Sequence, residues 1–198
     1  MVFALLVPYI SMIIGLYLLK SAWFAFLIYH FLIISVLVYN KKLNSWKTMF
    51  KGFNLKLTIY SIIFGLLGGL IIYFLAPYSG LISNLNPVLL SLGLSGSLWL
   101  IFVIYHSTIN PWFEELYWRG YLGSSKKGLV LTDFIFSGYH LLVLALFLNW
   151  YWLILAFIIL TIAAWFWRQL ARKNKGLLIS ILSHMAADAS IMIVAYLL

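Results

Sequence analysis

The chain has no cysteine, and in its 198 residues it has only four carboxylate side chains, Glu114, Glu115, Asp133 and Asp188. Without cysteine there are no disulfides, no thiolate metal ligands and no cysteine nucleophile. Charged residues of both signs make up 9% of the sequence, against roughly a quarter in soluble domains. That is too little polar side chain to cover a globule in water. What the chain has instead is apolar: 65% of its residues are hydrophobic and the mean hydropathy is +1.07. Lipid is the outer solvent this composition requires. The net charge of +9 does not point to nucleic acid, because the Lys and Arg residues sit in short connectors between apolar runs, where membrane orientation places them.

Crossing the hydrocarbon as a helix takes about 20 apolar residues. Seven stretches qualify, at 2–19, 22–39, 57–76, 88–107, 131–148, 150–167 and 178–197. The first lacks a basic n-region and a small-residue cleavage site, so it reads as a retained span rather than a signal peptide. A break at Lys20 and Ser21 separates the first two, and a turn at Asn149 the fifth and sixth. The expected fold is all-α, a single polytopic transmembrane bundle of about seven spans. Three connectors are basic: Lys41, Lys42, Lys47, Lys51 and Lys56; then Lys126 and Lys127; then Arg168, Arg172, Lys173 and Lys175. With seven spans they share one side, and the uncharged loop 77–86 lies on the other; six or eight spans would break this alternation. The positive-inside rule then gives N-in and C-out. Gly65, Gly68 and Gly69, and Gly93, Ser95, Gly96 and Ser97, are small residues suited to close helix packing in lipid.

An ionisable group at the bilayer centre costs about 2.5–3.5 kcal/mol on insertion scales, so such groups mark functional positions. They fall into three local patterns. In Asn110-Pro111-Trp112-Phe113-Glu114-Glu115, the Asn-Pro pair reads as a new helix start after a break near Thr108. Glu115 and Arg119 stand four apart in the order that favours an ion pair. Glu114, turned about 100° away, is then the freer carboxylate and a candidate general base. Phe136 and His140 share one face of the fifth span, and His184 and Asp188 share one face of the seventh. Ala186 and Ala187 between the last two would admit a neighbouring helix or a substrate backbone.

Depth links the three patterns. His140 lies 13 residues beyond Lys127 and His184 lies 9 beyond Lys175, on the order of 13–20 Å along each axis. Glu114 starts from the same side, so a carboxylate, an imidazole and a His–Asp pair aim at one layer. That convergence marks the candidate site, in a catalytic core over about 88–198. The remaining ionisable residues read as structural. His30 and His106 have no partner pattern and are expected to pack or sit at the interface. Asp133 is expected to cap its helix and face solvent or Lys126.

These patterns, in this order, resemble the CAAX protease and bacteriocin-processing family, also called the Abi family of intramembrane glutamic endopeptidases. Its motifs are Glu-Glu-x-x-x-Arg, Phe-x-x-x-His and His-x-x-x-Asn or Asp. They match Glu114, Glu115 and Arg119, then Phe136 and His140, then His184 and Asp188, within residues 110–190. The resemblance implies that Glu114 activates water with help from His140. His184 and Asp188 would polarise the scissile carbonyl and stabilise the oxyanion. Glu115 and Arg119 would hold the first motif in shape, with Phe136 in support. The eukaryotic branch has Asn at the position of Asp188, and an ionised Asp could not donate to an oxyanion.

The function expected is therefore a metal-free intramembrane endopeptidase acting on a membrane-associated peptide or protein. Bacteriocin or signal-peptide maturation and self-immunity are the roles the resemblance implies, in a bacterial plasma membrane with the site open to the cytoplasm. A zinc hydrolase using His140, His184 and a glutamate is the alternative chemistry, although no His-Glu-x-x-His spacing is present. The alternative function is a non-catalytic immunity or scaffold protein that binds a peptide or a signalling partner. No internal symmetry suggests a transporter.

Overall fold

The computed structural model describes residues 2–198, the side chain of Ile82 excepted, and among these the regular structure is helical with no strand. α1 (Val2–Met12) passes into a π-helical turn, Ile13–Leu18. It is followed by α2 (Ala22–Tyr39), a 3-10 segment (Leu43–Phe50), α3 (Leu55–Ser79) and α4 (Leu81–Ser91). α5 (Gly96–Thr108), α6 (Asn110–Glu115) and a π-helical turn (Leu116–Tyr121) form one continuous run. α7 (Leu131–Leu144), α8 (Trp150–Asn174) and α9 (Leu178–Leu197) complete the bundle. Polar side chains set two of the starts. Ser21 accepts from the Phe24 N–H and Asn54 from the Leu57 N–H, each satisfying an amide that has no partner within its helix.

Each expected span is helical, but the lengths differ. α2, α3, α8 and α9 are four helices long and apolar enough to cross a bilayer, and a fifth crossing results if α4 and the run Gly96–Tyr121 count as one bent unit. The helix Val2–Leu18 and α7 are shorter apolar helices. At 14 residues, α7 extends about 21 Å, against a hydrocarbon core of ~30 Å. The exposed side chains of α3 include Ile59, Ile63, Leu66, Leu70 and Phe74, and those of α8 include Ile154, Ile158 and Ile162. With apolar residues outward, the protein is membrane-embedded.

The fourth expected span is where the chain departs most from its sequence reading. The break falls between α4 and α5, where the axis turns by 96°, not near Thr108. Gly93 and Gly96 take left-handed φ values of 76° and 49° there, and a Cβ on either would meet nothing within 4 Å. These two glycines make a turn that other residues rarely take; they do not serve the close packing expected of them. At Asn110-Pro111 the helix runs on, because Ile109 keeps helical angles and its N–H still bonds the Tyr105 carbonyl. Pro111 removes one amide donor there without ending the helix. The helix bearing Glu114 therefore arrives from the end opposite to the one expected. The supposed loop 77–86 is helical too, interrupted only at Gly80.

The basic connectors gather at one end. The Leu177 and Leu178 N–H groups bond the Thr48 and Lys51 carbonyls at 2.9 and 3.2 Å. Arg168 binds the Lys126 and Gly128 carbonyls at 2.6 and 2.7 Å. At the other end the Ala22 N–H meets the Leu92 carbonyl at 3.1 Å. Contacts thus join the three basic connectors at one end of the bundle.

α9 is held by α3 through small residues four apart. A Cβ on Gly65 would lie 2.2 Å from the Ser183 carbonyl oxygen, and one on Gly69 would lie 2.5 Å from that of Ser190. Ser183 Oγ donates to the Ser61 carbonyl at 2.6 Å, and the Gly69 N–H to Ser190 Oγ at 3.1 Å. Lipid tails are as apolar as the helices, so this close approach and its hydrogen bonds hold the pair together. Ala186 and Ala187 lie against Gly65, so the space they leave admits α3.

Candidate active site

The acidic motif sits on the last turns of the run Gly96–Tyr121. Glu114 lies seven residues before Tyr121, about 10 Å from the basic end at 1.5 Å per residue. His140 lies nine residues into α7 and His184 six into α9, or about 14 and 9 Å from that end. The layer is real but shallower than the connector charges suggested, because α7 and α9 begin several residues after Lys127 and Lys175.

Glu114, Glu115 and His184 are 2%, 0% and 2% exposed, and at such burial a carboxylate needs partners. Arg119 Nη1 stands 3.1 Å from Glu115 Oε1, the i,i+4 pair expected from the spacing. The same oxygen lies 3.0 Å from His184 Nδ1. Glu115 is thus taken up by a guanidinium and an imidazole. Glu114 Oε1 accepts a hydrogen bond from the Tyr139 hydroxyl. Its Oε2 has no hydrogen-bond partner and faces His184 Nε2 at 3.5 Å. His184 Nε2 is also 3.5 Å from Asp188 Oδ1, so one imidazole spans all three carboxylates.

Aromatic rings fix these groups in place. Arg119 lies over the Phe136 ring, 4.2 Å from its centroid, and 5.2 Å from that of Trp167, in cation–π geometry. Phe136 therefore supports the first motif from below. His140 packs between Phe136 and Tyr139, with centroids 4.5 and 4.1 Å away. Its Nδ1 lies 2.8 Å from the Phe136 carbonyl, which assigns the proton to Nδ1 and leaves the Nε2 lone pair free.

The structure brings Glu114, Glu115, Arg119, His184 and Asp188 into one network. His140 stands beside that network through Tyr139 and Phe136, and no hydrogen bond or ion pair joins it to Glu114. Three contributors escaped the sequence reading. His106 was expected to be a packing residue, but its Nδ1 lies 3.3 Å from Asp188 Oδ2. Tyr139 holds Glu114, and Trp167 stacks on His184. All three come from helices distant in sequence from their partners, and no local spacing announces them. Among the described residues no group of three or more His, Asp and Glu side chains is arranged to hold a metal ion.

Two other expectations need correction. Asp133 does cap α7, accepting from the Val130 N–H at 3.0 Å, but it does not face solvent or Lys126. It is buried against Arg168, whose Nε and Nη2 reach its two oxygens at 2.8 and 2.7 Å. A paired, bidentate carboxylate is the form in which such a group tolerates burial. His30 is also more than packing. Its Nε2 meets Asn110 Oδ1 at 3.2 Å and its Nδ1 the Tyr105 hydroxyl at 2.7 Å, so it holds α2 to the helix next to Pro111.

A family model described as type II CAAX prenyl endopeptidase Rce1-like matches residues 96–190. Those bounds run from the first residue of α5 to α9 and include every residue of the network. No curated protein and no solved structure matches the chain.

Proposed function

We propose that this chain, whose residues 96–190 match the CAAX prenyl endopeptidase family of membrane peptidases, is an intramembrane endopeptidase using a glutamate-activated water. The observation that carries this reading is the asymmetry of Glu114. One of its oxygens is held by Tyr139, while the other, Oε2, is free of hydrogen bonds and points toward His184. A base must be fixed in place yet keep a lone pair to take a proton; Glu114 meets both conditions and, unlike Glu115, is not paired with the Arg119 guanidinium.

In this mechanism Glu114 Oε2 takes a proton from water and the resulting hydroxide attacks the scissile carbonyl carbon. His184 donates to the oxyanion as it forms, while the free Nε2 lone pair of His140 accepts from the attacking water and helps Glu114 orient it. The proton on Glu114 then passes to the amine as the C–N bond breaks, leaving a new carboxyl and a new amino terminus. Asp188 and His106 position His184, and Glu115 with Arg119 and Phe136 keep the first motif rigid. The substrate is a membrane-associated peptide or protein. The positive-inside rule places the basic end, and the site about 10 Å from it, toward the cytoplasm.

The test is cleavage of a membrane-tethered reporter peptide by the full chain in liposomes. Glu114→Gln keeps the carbonyl that accepts from Tyr139 and removes the base; cleavage is expected to fall by about 10²–10⁴-fold while the melting temperature holds. Cleavage that survives Glu114→Gln overturns the glutamate mechanism. Cleavage abolished by a chelator and restored by zinc establishes the metal alternative.

A further inference from the structure

At the basic end the connectors line an open cavity of about 320 Å³ that meets the catalytic network only at Arg119. Its walls come from the 3-10 segment (Ser45 and Thr48), the turn after Arg119 (Gly120, Gly123, Ser124 and Ser125) and the junction of α8 with α9 (Arg172, Lys175 and Gly176). Arg119 and Arg168 reach it from below. Four cations face this space, and no carboxylate lines it.

Each cation can be traced to a partner or to none. Arg119 is matched by Glu115, and Arg168 by Asp133. The other two acids, Glu114 and Asp188, lie in the catalytic network, facing His184 and His106. With only four acids in the sequence, nothing remains for Arg172 and Lys175. Arg172 uses its Nε on Gln169 Oε1 at 2.8 Å, which orients the guanidinium and leaves its charge unmatched. Arg119 is buried at the floor, with its Nη1 turned to Glu115 Oε1 at 3.1 Å. The cavity thus has two uncompensated positive charges, a guanidinium at its floor and, at Ser124 and Ser125, hydroxyls able to donate.

We propose that this cavity binds a phosphate group, held by Arg172 and Lys175 with Arg119 at its floor. Guanidinium and ammonium groups around a concave, hydroxyl-lined space recognise phosphate oxygens, and basic pockets between membrane helices take lipid headgroups. The source of the phosphate is an anionic phospholipid of the leaflet at the basic end or a free phosphate from the aqueous side. Arg119 also contacts Glu115, so the occupant touches the network around His184 at that one residue.

The test uses the full chain and the variant Arg172→Gln/Lys175→Gln, both residues lying outside the catalytic network. Each is reconstituted in nanodiscs of phosphatidylcholine alone and of phosphatidylcholine with phosphatidylglycerol, and each is also titrated with inorganic phosphate in the first. Native mass spectrometry counts retained lipid, and thermal unfolding reports binding. We expect the unaltered chain to retain phosphatidylglycerol at least tenfold over phosphatidylcholine, and the double variant to lose that preference. A variant-sensitive rise in melting temperature with inorganic phosphate, without lipid preference, assigns the site to free phosphate. If neither ligand distinguishes the unaltered chain from the variant, the proposal is overturned. Because both readouts are of binding, the result is independent of whether the protein cleaves peptides.

Discussion

Trp167 lies flat on His184, with ring centroids 4.0 Å apart and planes inclined by 20°. The indole is itself fixed, since its Nε1 donates to Ser183 Oγ at 3.0 Å, one residue before the histidine it covers. An imidazole that must present Nδ1 to Glu115 and Nε2 to Glu114 cannot rotate about χ2, and the stack opposes that rotation. Such aromatic contacts contribute about 0.5–1.5 kcal/mol beyond burial. Trp167→Leu is expected to lower kcat up to about tenfold with little change in KM. Trp167→Phe, which keeps a ring in place, should recover part of the loss. Equal losses in both variants would show that stacking is not what matters.

The two adjacent glutamates should fail in different ways. Glu115 is paired with Arg119 and His184 in a fully buried setting, and breaking a buried ion pair costs about 3–5 kcal/mol. Glu115→Ala and Arg119→Ala are expected to lower the melting temperature and the yield of folded protein. Glu114→Gln should be neutral in stability and inactive. Thermal unfolding in detergent beside the reporter assay separates the two.

Asp188 stands between His184 and His106, with ring nitrogens 3.5 and 3.3 Å from its two oxygens. An asparagine there can still accept from one histidine and gains a donor of its own. Asp188→Asn is expected to retain activity within roughly tenfold, whereas Asp188→Ala loses about 10²-fold or more. His106→Ala should fall between them. A fully active Asp188→Ala would remove this pair from the mechanism.

Arg168 grips three loop carbonyls, of Ser124, Lys126 and Gly128, as well as Asp133. Without Asp133 the guanidinium would be left without its counter-ion beside the loop it orders. Asp133→Asn is expected to make residues 124–128 a preferred cleavage site in limited proteolysis of the membrane-embedded protein, while the remaining helices stay protected. Protection at that loop equal to that of the unaltered chain would show that the carbonyl contacts suffice.

At Gly65 no side chain fits against the Ser183 carbonyl. Gly65→Leu must push α3 away from α9 and shift the helix that carries His184 and Asp188. Loss of activity together with a lower melting temperature is expected. Leu66→Ala, one residue on and outward-facing, should do neither.

Local spacing made part of this arrangement legible. Glu115 and Arg119 pair because residues four apart on a helix meet, and His184 faces Asp188 for the same reason. Charge in the connectors correctly placed three loops at one end. Small residues were ambiguous because one composition serves two purposes. Gly65 and Gly69 bring helices together, whereas Gly93 and Gly96 turn the chain, and only φ tells them apart. Pro111 likewise marks a boundary in most helices, but here the amide it lacks is simply absent from a helix that continues. His106, Tyr139 and Trp167 were out of reach, since each meets its partner across the bundle and a single sequence records no such pairing.

The contribution of α9 also sets an order of events during synthesis. Glu114, Glu115 and Arg119 leave the ribosome with the middle of the chain, 65–74 residues ahead of His184 and Asp188. Until α9 threads in against Ser61, Gly65 and Gly69, the acidic motif has no imidazole from that helix, and the nascent protein lacks the means to cut its own unfolded segments or its neighbours'. In the proposed mechanism, peptide-bond hydrolysis begins only when the bundle closes.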